Sequence, residues 1–158
     1  MDDTKKFIDL HTHSTFSDGT FSPEELVALA KAASLSAVAL TDHDTVSGIS
    51  EALLAGEKCG IKIIPGVEFA TYYDNPVQTE IHIVGLGIDY KNPNFLNVSK
   101  EILKNRHERN LRMIKNLSSL GFETTYDELL ASAGDKLISR AHFAKVMAEK
   151  GFVKTKAE

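Results

Sequence analysis

Short apolar runs alternate with stretches of helical period along the first half of the chain. Phe7-Ile8-Asp9-Leu10 is a brief apolar run that leads into His11-Thr12-His13. Ser22-Pro23-Glu24-Glu25 then opens a helix. Ser22 is its N-cap, Pro23 takes the first helical position where a missing N–H costs nothing, and Glu25 closes a capping box. Leu26, Val27, Leu29, Ala30 and Ala33 follow at helical spacing. Ala37-Val38-Ala39-Leu40 is continuously apolar, as expected of a strand buried on both faces of a parallel sheet, and it ends in Thr41-Asp42-His43-Asp44. A second helix is predicted from Ser47 to Lys58, with Gly60 placed for a left-handed cap. Ile61 to Phe69 is the third strand region. Pro65 has no N–H for a ladder, which predicts an edge or a bulge there.

Asp74-Asn75-Pro76 reads as a turn, and Glu80 to Ile88 as a strand returning antiparallel to the third. The rest is helical. Asn94 to Ser119 carries one long helix, with Val98, Ile102, Leu103, Ile114 and Leu117 mostly along one stripe and Gly121 beyond it; Arg106, His107 and Arg109 are read as its solvated face. Thr125-Tyr126-Asp127-Glu128 is a further capping box, opening a short helix to Ser132. Ser139 caps a last helix running to Lys150, with Gly151 after it. The order β-α-β-α-β, then a return strand and helices, is that of an α/β protein.

At 158 residues the chain has the length of one compact unit, on the scale of ~100–200 residues per domain. Its 42% hydrophobic and 25% charged residues exclude a largely disordered chain. No apolar run approaches the ~18 residues of a membrane span, and Met1-Asp2-Asp3 does not fit a signal peptide. The one cysteine, Cys59, excludes a disulfide framework and a thiolate-rich zinc module, which leaves the cytoplasm as the expected compartment. A net charge of −4 speaks against a bulk electrostatic grip on long nucleic acid, though not against a local phosphate site.

In α/β folds the working side chains gather at the carboxyl ends of parallel strands. Here three successive strands end in metal-type residues: His11, His13 and Asp18, then Asp42, His43 and Asp44, then Glu68; the return strand adds His82. Each has an ordinary reading on its own. His11 and His13 can be two surface histidines, His43 or His82 a hydrogen-bonded structural residue, and Asp18-Gly19 a turn. Glu68 between Val67 and Phe69 is harder to set aside, because a carboxylate in an apolar strand needs a cation or hydrogen-bond partners. Taken together they point to one site. Imidazoles and carboxylates without thiolate suit Zn, Mn or Fe, and six candidate ligands exceed one tetrahedral ion. At least two cations, one bridged by a carboxylate, suit phosphoester hydrolysis by metal-activated hydroxide.

His11-Thr12-His13-Ser14, Asp18-Gly19, Thr41-Asp42-His43-Asp44 and Pro65-Gly66-Val67-Glu68 resemble, in order and spacing, the first motifs of the polymerase and histidinol phosphatase (PHP) superfamily of metal-dependent phosphoesterases. The resemblance implies a distorted (β/α)-barrel, of which this chain supplies the first three to four strands plus a helical insertion, and two or three divalent ions (Mn, Fe or Zn). It implies His11, His13, Asp18, His43, Glu68 and His82 as ligands, with Glu68 as the bridge. Asp42, His43 and Glu68 are the implied catalytic residues, Asp42 by orienting a ligand imidazole.

Ser139-Arg140-Ala141-His142 is similar to a phosphate-binding stretch in the helical insertion of those members that act on nucleoside 3′,5′-bisphosphates and of the 5′–3′ exoribonucleases. Ser139, Arg140 and His142 are therefore expected to bind substrate phosphate, by free N–H groups at a helix start, a guanidinium fork and an imidazole donor. The plainer reading has Ser139 as only a cap and Arg140 as only a surface charge. On this reading residues 1–90 are the amino-terminal part of the metal-binding domain, 91–153 the helical insertion and 154–158 the start of a missing continuation. The expected activity is hydrolysis of a phosphate ester in a small phosphorylated molecule, nucleotide or short oligonucleotide, with no membrane partner and with self-association through bare strand edges. The alternatives are a non-catalytic PHP-like structural or interaction module, a histidinol-phosphatase-like enzyme and an amidohydrolase, which also opens with H-x-H.

Overall fold

The computed structural model describes residues 6–73, 76, 79–134 and 137–155. Of the expected turn, Asp74 and Asn75 lie outside these residues, as do Lys156 to Glu158. The elements are β1 (Phe7–Thr12), α1 (Pro23–Ala32), β2 (Leu35–Leu40), α2 (Ile49–Cys59), β3 (Lys62–Tyr73), β4 (Thr79–Leu86), α3 (Pro93–Ser119), α4 (Tyr126–Ala133) and α5 (Arg140–Glu149). The single compact unit expected from length is instead two, Met1–Ser99 and Lys100–Glu158. The reason is in α3, whose later residues Met113, Ile114 and Leu117 pack into a core of their own.

In the first unit the sheet has the order β1-β2-β3-β4. β1, β2 and β3 are parallel and β4 returns antiparallel on β3, which makes a partial (β/α)-barrel. Its core is formed by Val27 and Ala30 of α1, Ile49, Ala52 and Ala55 of α2, Val38 and Leu40 of β2, and Ile61 and Ile63. Each large aliphatic side chain so buried contributes roughly 1.5–3 kcal/mol, so this cluster is the main cohesive term. Ala37 to Leu40 is buried throughout, as the unbroken apolar run predicts. The Ser22 box forms as expected, with Glu25 N–H donating to Ser22 Oγ (3.2 Å) and Ser22 N–H to Glu25 Oε2 (2.8 Å). Gly60 ends α2 at φ 65°, the predicted left-handed cap.

Pro65 marks a change of partner. Ala37 to Leu40 of β2 pair with Lys62 to Pro65, whereas Gly66 to Tyr73 pair with Leu86 to Thr79 of β4. The proline sits at the changeover, where its missing N–H leaves no gap in the ladder, and its carbonyl accepts from Gly87 N–H (2.8 Å). β1 lies at the edge of the sheet, and Phe7 and Ile8 on it are 65% and 53% exposed.

In the second unit, Leu129, Ala133, Ile138, Phe143 and Val146 form the core. Thr125 and Glu128 complete the predicted capping box of α4. Asn92, one residue before α3, accepts from Asn94 and Phe95 N–H and caps that helix. Two readings of α3 need correction. Val98, expected in the apolar stripe, is exposed while Ser99 is buried and donates to the Phe95 carbonyl. His107 is exposed but not merely solvated: its Nδ1 hydrogen-bonds the Tyr126 hydroxyl at 2.9 Å and ties α3 to α4.

Candidate metal centre

The ends of β1 and β2 and the middles of β3 and β4 deliver the side chains. His11 and His13 are two residues apart on extended chain, so both rings leave the same face. After His13 the chain folds into a tight loop in which Ser17 N–H and Gly19 N–H both donate to the Ser14 carbonyl (3.1 and 2.9 Å). A Cβ at position 19 would collide with the His13 carbonyl, so glycine lets the loop close. That closure brings Asp18 to His13 and to His43. Beyond β2, His43 pairs with Glu68 through an isolated parallel bridge. Asp44 follows at φ 54°, a left-handed value that Asp tolerates better than most residues, and its buried carboxylate accepts from Ala70 N–H (3.3 Å). On β4, His82 stands opposite Ala70 and so lies diagonal to Glu68 on the same sheet face.

All six residues expected as ligands converge. They form three overlapping groups, His11-His13-Glu68, His13-Asp18-His43 and His43-Glu68-His82, with the donor atoms of each group within 4.8 Å of one another. Glu68 is the hub. Its Oε2 is 2.8 Å from His11 Nε2 and 3.0 Å from His13 Nε2, and its Oε1 is 3.0 Å from His82 Nδ1. Each carboxylate oxygen thus faces a different set of imidazoles. Asp18 reaches His13 Nδ1 at 3.5 Å and His43 Nε2 at 3.6 Å.

Burial depresses the pKa of His43 below the ordinary imidazole value, against the pull of Asp18 and Glu68. Desolvation pushes Glu68 up, but the hydrogen bond from His11 and the positive potential of its neighbours outweigh it and hold the carboxyl below the usual range. His82 moves the other way, raised chiefly by its hydrogen bond to Glu80. An anionic Glu68 and a neutral His43 are the ligating forms of these groups.

One atom tests whether the set fits a cation. His43 Nδ1 is buried and has no hydrogen-bond partner, although Glu68 Oε2 lies 3.5 Å away. A buried ring nitrogen left unpaired amid imidazoles and carboxylates is what a cation would satisfy. The donor set fits a borderline divalent metal.

Asp42 sits behind the imidazoles, among serines. It is buried, and its carboxylate accepts from Ser14 N–H (2.7 Å), Ser14 Oγ (2.7 Å) and Ser17 Oγ (2.6 Å). Its reach to an imidazole runs through Ser17, whose Oγ is 3.5 Å from His13 Nδ1. In the second unit, Ser139, Arg140 and His142 meet at the start of α5. Ser139 N–H donates to His142 Nδ1 (2.9 Å), so the imidazole fills the place that Glu takes in the other capping boxes. Nε2 is then the nitrogen that carries the ring proton.

Sequence reasoning missed Ser17 and Glu80. Ser17 meets Asp42 across a loop and a helix, a contact that leaves no pattern in the chain. Glu80 had a usable signal, since a residue two before His82 on a strand shares its face.

A family profile described as "PHP domain" matches residues 9–155. A 5′–3′ exoribonuclease of Haemophilus influenzae is 40% identical over 95% of this chain and 53% of its own length. A 3′,5′-nucleoside bisphosphate phosphatase of Chromobacterium violaceum is 37% identical over 93% of this chain and 51% of its own. A solved structure from Chromobacterium violaceum, an amidohydrolase with bound sulfate and no metal, superposes with a TM-score of 0.81 at 37% identity, over 95% of this chain and 52% of that one. The chain therefore spans about half the length of these relatives.

Proposed function

Because the chain belongs to the PHP domain family, we propose that it carries part of a metal-dependent phosphoesterase that hydrolyses a phosphate ester of a small nucleotide or short oligonucleotide. The observation that carries this reading is the convergence around Glu68 of side chains from β1, β4 and the loops after β1 and β2. His11, His13, Asp18, His43, Glu68 and His82 would hold two or three divalent ions (Mn, Fe or Zn), with Glu68 as the bridge, because its two oxygens already face separate groups of imidazoles. Ions held there would polarise phosphoryl oxygens and supply hydroxide near neutral pH.

The chain's own residues do the positioning. Glu68 concentrates negative charge among four imidazoles, His43 offers an unprotonated nitrogen, and Asp42 fixes the loop that carries Asp18. Arg140 and the Nε2–H of His142, at the exposed start of α5, would bind substrate phosphate. Relatives named for nucleoside bisphosphates and for RNA support a nucleotide substrate. None of the described helices is long and apolar enough to cross a membrane. The exposed β1 edge supports self-association.

The test has two parts. Metal analysis after incubation with Mn²⁺ should find at least two ions per chain, and His43→Ala should retain fewer. Phosphate release from a nucleoside 3′,5′-bisphosphate, measured on a full-length version, should depend on added Mn²⁺ and disappear in His43→Ala, with no turnover of amide substrates. Retention of no ion, or amide hydrolysis in place of phosphate release, would overturn the reading.

A further inference from the structure

We propose that Glu80 is a positioning residue for the metal centre, holding the His82 ring by its Nε2–H so that Nδ1 is presented beside Glu68. The inference rests on the metal reading above. His82 has a carboxylate at each ring nitrogen: Glu68 Oε1 at 3.0 Å from Nδ1 and Glu80 Oε1 at 3.1 Å from Nε2. Glu80 and His82 alternate along β4 and so share one face, which makes the contact a product of strand geometry. A carboxylate can only accept, so each ring nitrogen carries a hydrogen while no ion is bound; an ion taken at Nδ1 would displace the hydrogen there, and Glu80 would keep the one on Nε2.

His82 needs such a tether more than His13 or His43 does. Its side chain is 40% exposed, against 21% and 19% for theirs. Opposite it on β3 stands Ala70, whose methyl group gives the ring little to pack against. Without Glu80 the ring keeps Glu68 at Nδ1 and an edge contact with His43 (centroids 5.1 Å), and Nε2 loses the carboxylate that fixes its side of the ring. Glu80 lies outside the three ligand groups, so its effect on an ion would pass through His82.

Zinc titration of the whole chain against a competing chelator tests this, with Glu80→Ala, Glu80→Gln and His82→Ala compared by circular dichroism for intact fold. Glu80→Ala is expected to weaken zinc binding by about 10–100-fold, with Glu80→Gln between it and wild type because an amide oxygen still accepts. Long-range ¹H–¹⁵N spectra of the zinc-loaded protein should show His82 as the Nε2–H tautomer in wild type and Glu80→Gln, and lose that uniform signal in Glu80→Ala. If wild type binds zinc and both Glu80 variants match it to within about twofold with the same tautomer, Glu80 does not position His82 and the metal reading stands. If wild type takes up no zinc, the metal reading fails and this inference falls with it. Should Glu80→Ala not fold, Glu80→Gln decides, since wild-type affinity there overturns the role of the carboxylate.

Discussion

His43 and Glu68 are locked side by side by backbone rather than by their side chains. Glu68 N–H donates to the Asp42 carbonyl at 3.2 Å and Asp44 N–H donates to the Glu68 carbonyl at 2.9 Å, so the loop after β2 is stitched to β3 on both sides of His43. The spacing of the two backbone positions therefore belongs to the sheet and survives substitution of either side chain.

It follows that Glu68→Gln should leave the fold intact and remove ion binding selectively. The amide keeps the size of the side chain but removes the charge that four imidazoles share. The expected loss of zinc affinity exceeds the ~10–100-fold typical of removing an outer partner, and ion stoichiometry by elemental analysis checks it.

Asp42 acts on the fold first. Its removal as Asp42→Ala strands a buried N–H and two hydroxyls, at about 3 kcal/mol in total, whereas Asp42→Asn retains one acceptor oxygen and should lose about half as much. Urea unfolding, with hydrogen exchange of β2 amides to localise the loss to the first unit, measures the difference.

Gly19→Ala should open the loop that carries Asp18. The added methyl group meets backbone of His13 and Ser14, which has no flexible end to yield. A destabilisation of about 1–3 kcal/mol is expected, with zinc binding reduced because Asp18 moves away from His13 and His43. Full zinc binding in a stable Gly19→Ala protein would show that Asp18 is dispensable.

The second unit has its own acid sensitivity. Glu128 is held below its ordinary carboxyl value of 4.5, chiefly by the hydrogen bond from Lys150 Nζ and then by Thr125 N–H. A group depressed in the folded state stabilises fully above its unfolded pKa and loses that contribution as pH falls through the folded one. Stability of the second unit should thus decline below pH 4.5, and Glu128→Gln should flatten that decline. Thermal melts of α4 and α5 signals between pH 3 and 6 check the sign.

Much of the centre was legible in the chain because the His11 and Asp42 motifs stand where parallel strands stop, and Glu68 follows the point where β3 leaves its parallel partner, so neighbouring strands bring distant residues together. The helix starts at Ser22, Thr125 and Ser139 were legible from capping chemistry alone. What escaped were contacts made across loops. Ser17 meets Asp42 only once the turn has closed, and no periodicity records that. The burial of Ser99 in place of Val98 escaped for a related reason: which face of α3 turns inward depends on its neighbours, not on its own stripe. The division into two units likewise depends on which core each half of α3 joins.

The exchange of partners at Pro65 gives β3 something like a reading frame. Residues before it are counted against β2 and residues after it against β4, and the tally must agree at position 68. A deletion or insertion of one residue between Lys62 and Glu68 would turn the strand over, pointing a carboxylate into apolar packing and offering Val67 or Phe69 to the imidazoles. Length, as well as identity, is what this stretch has to preserve.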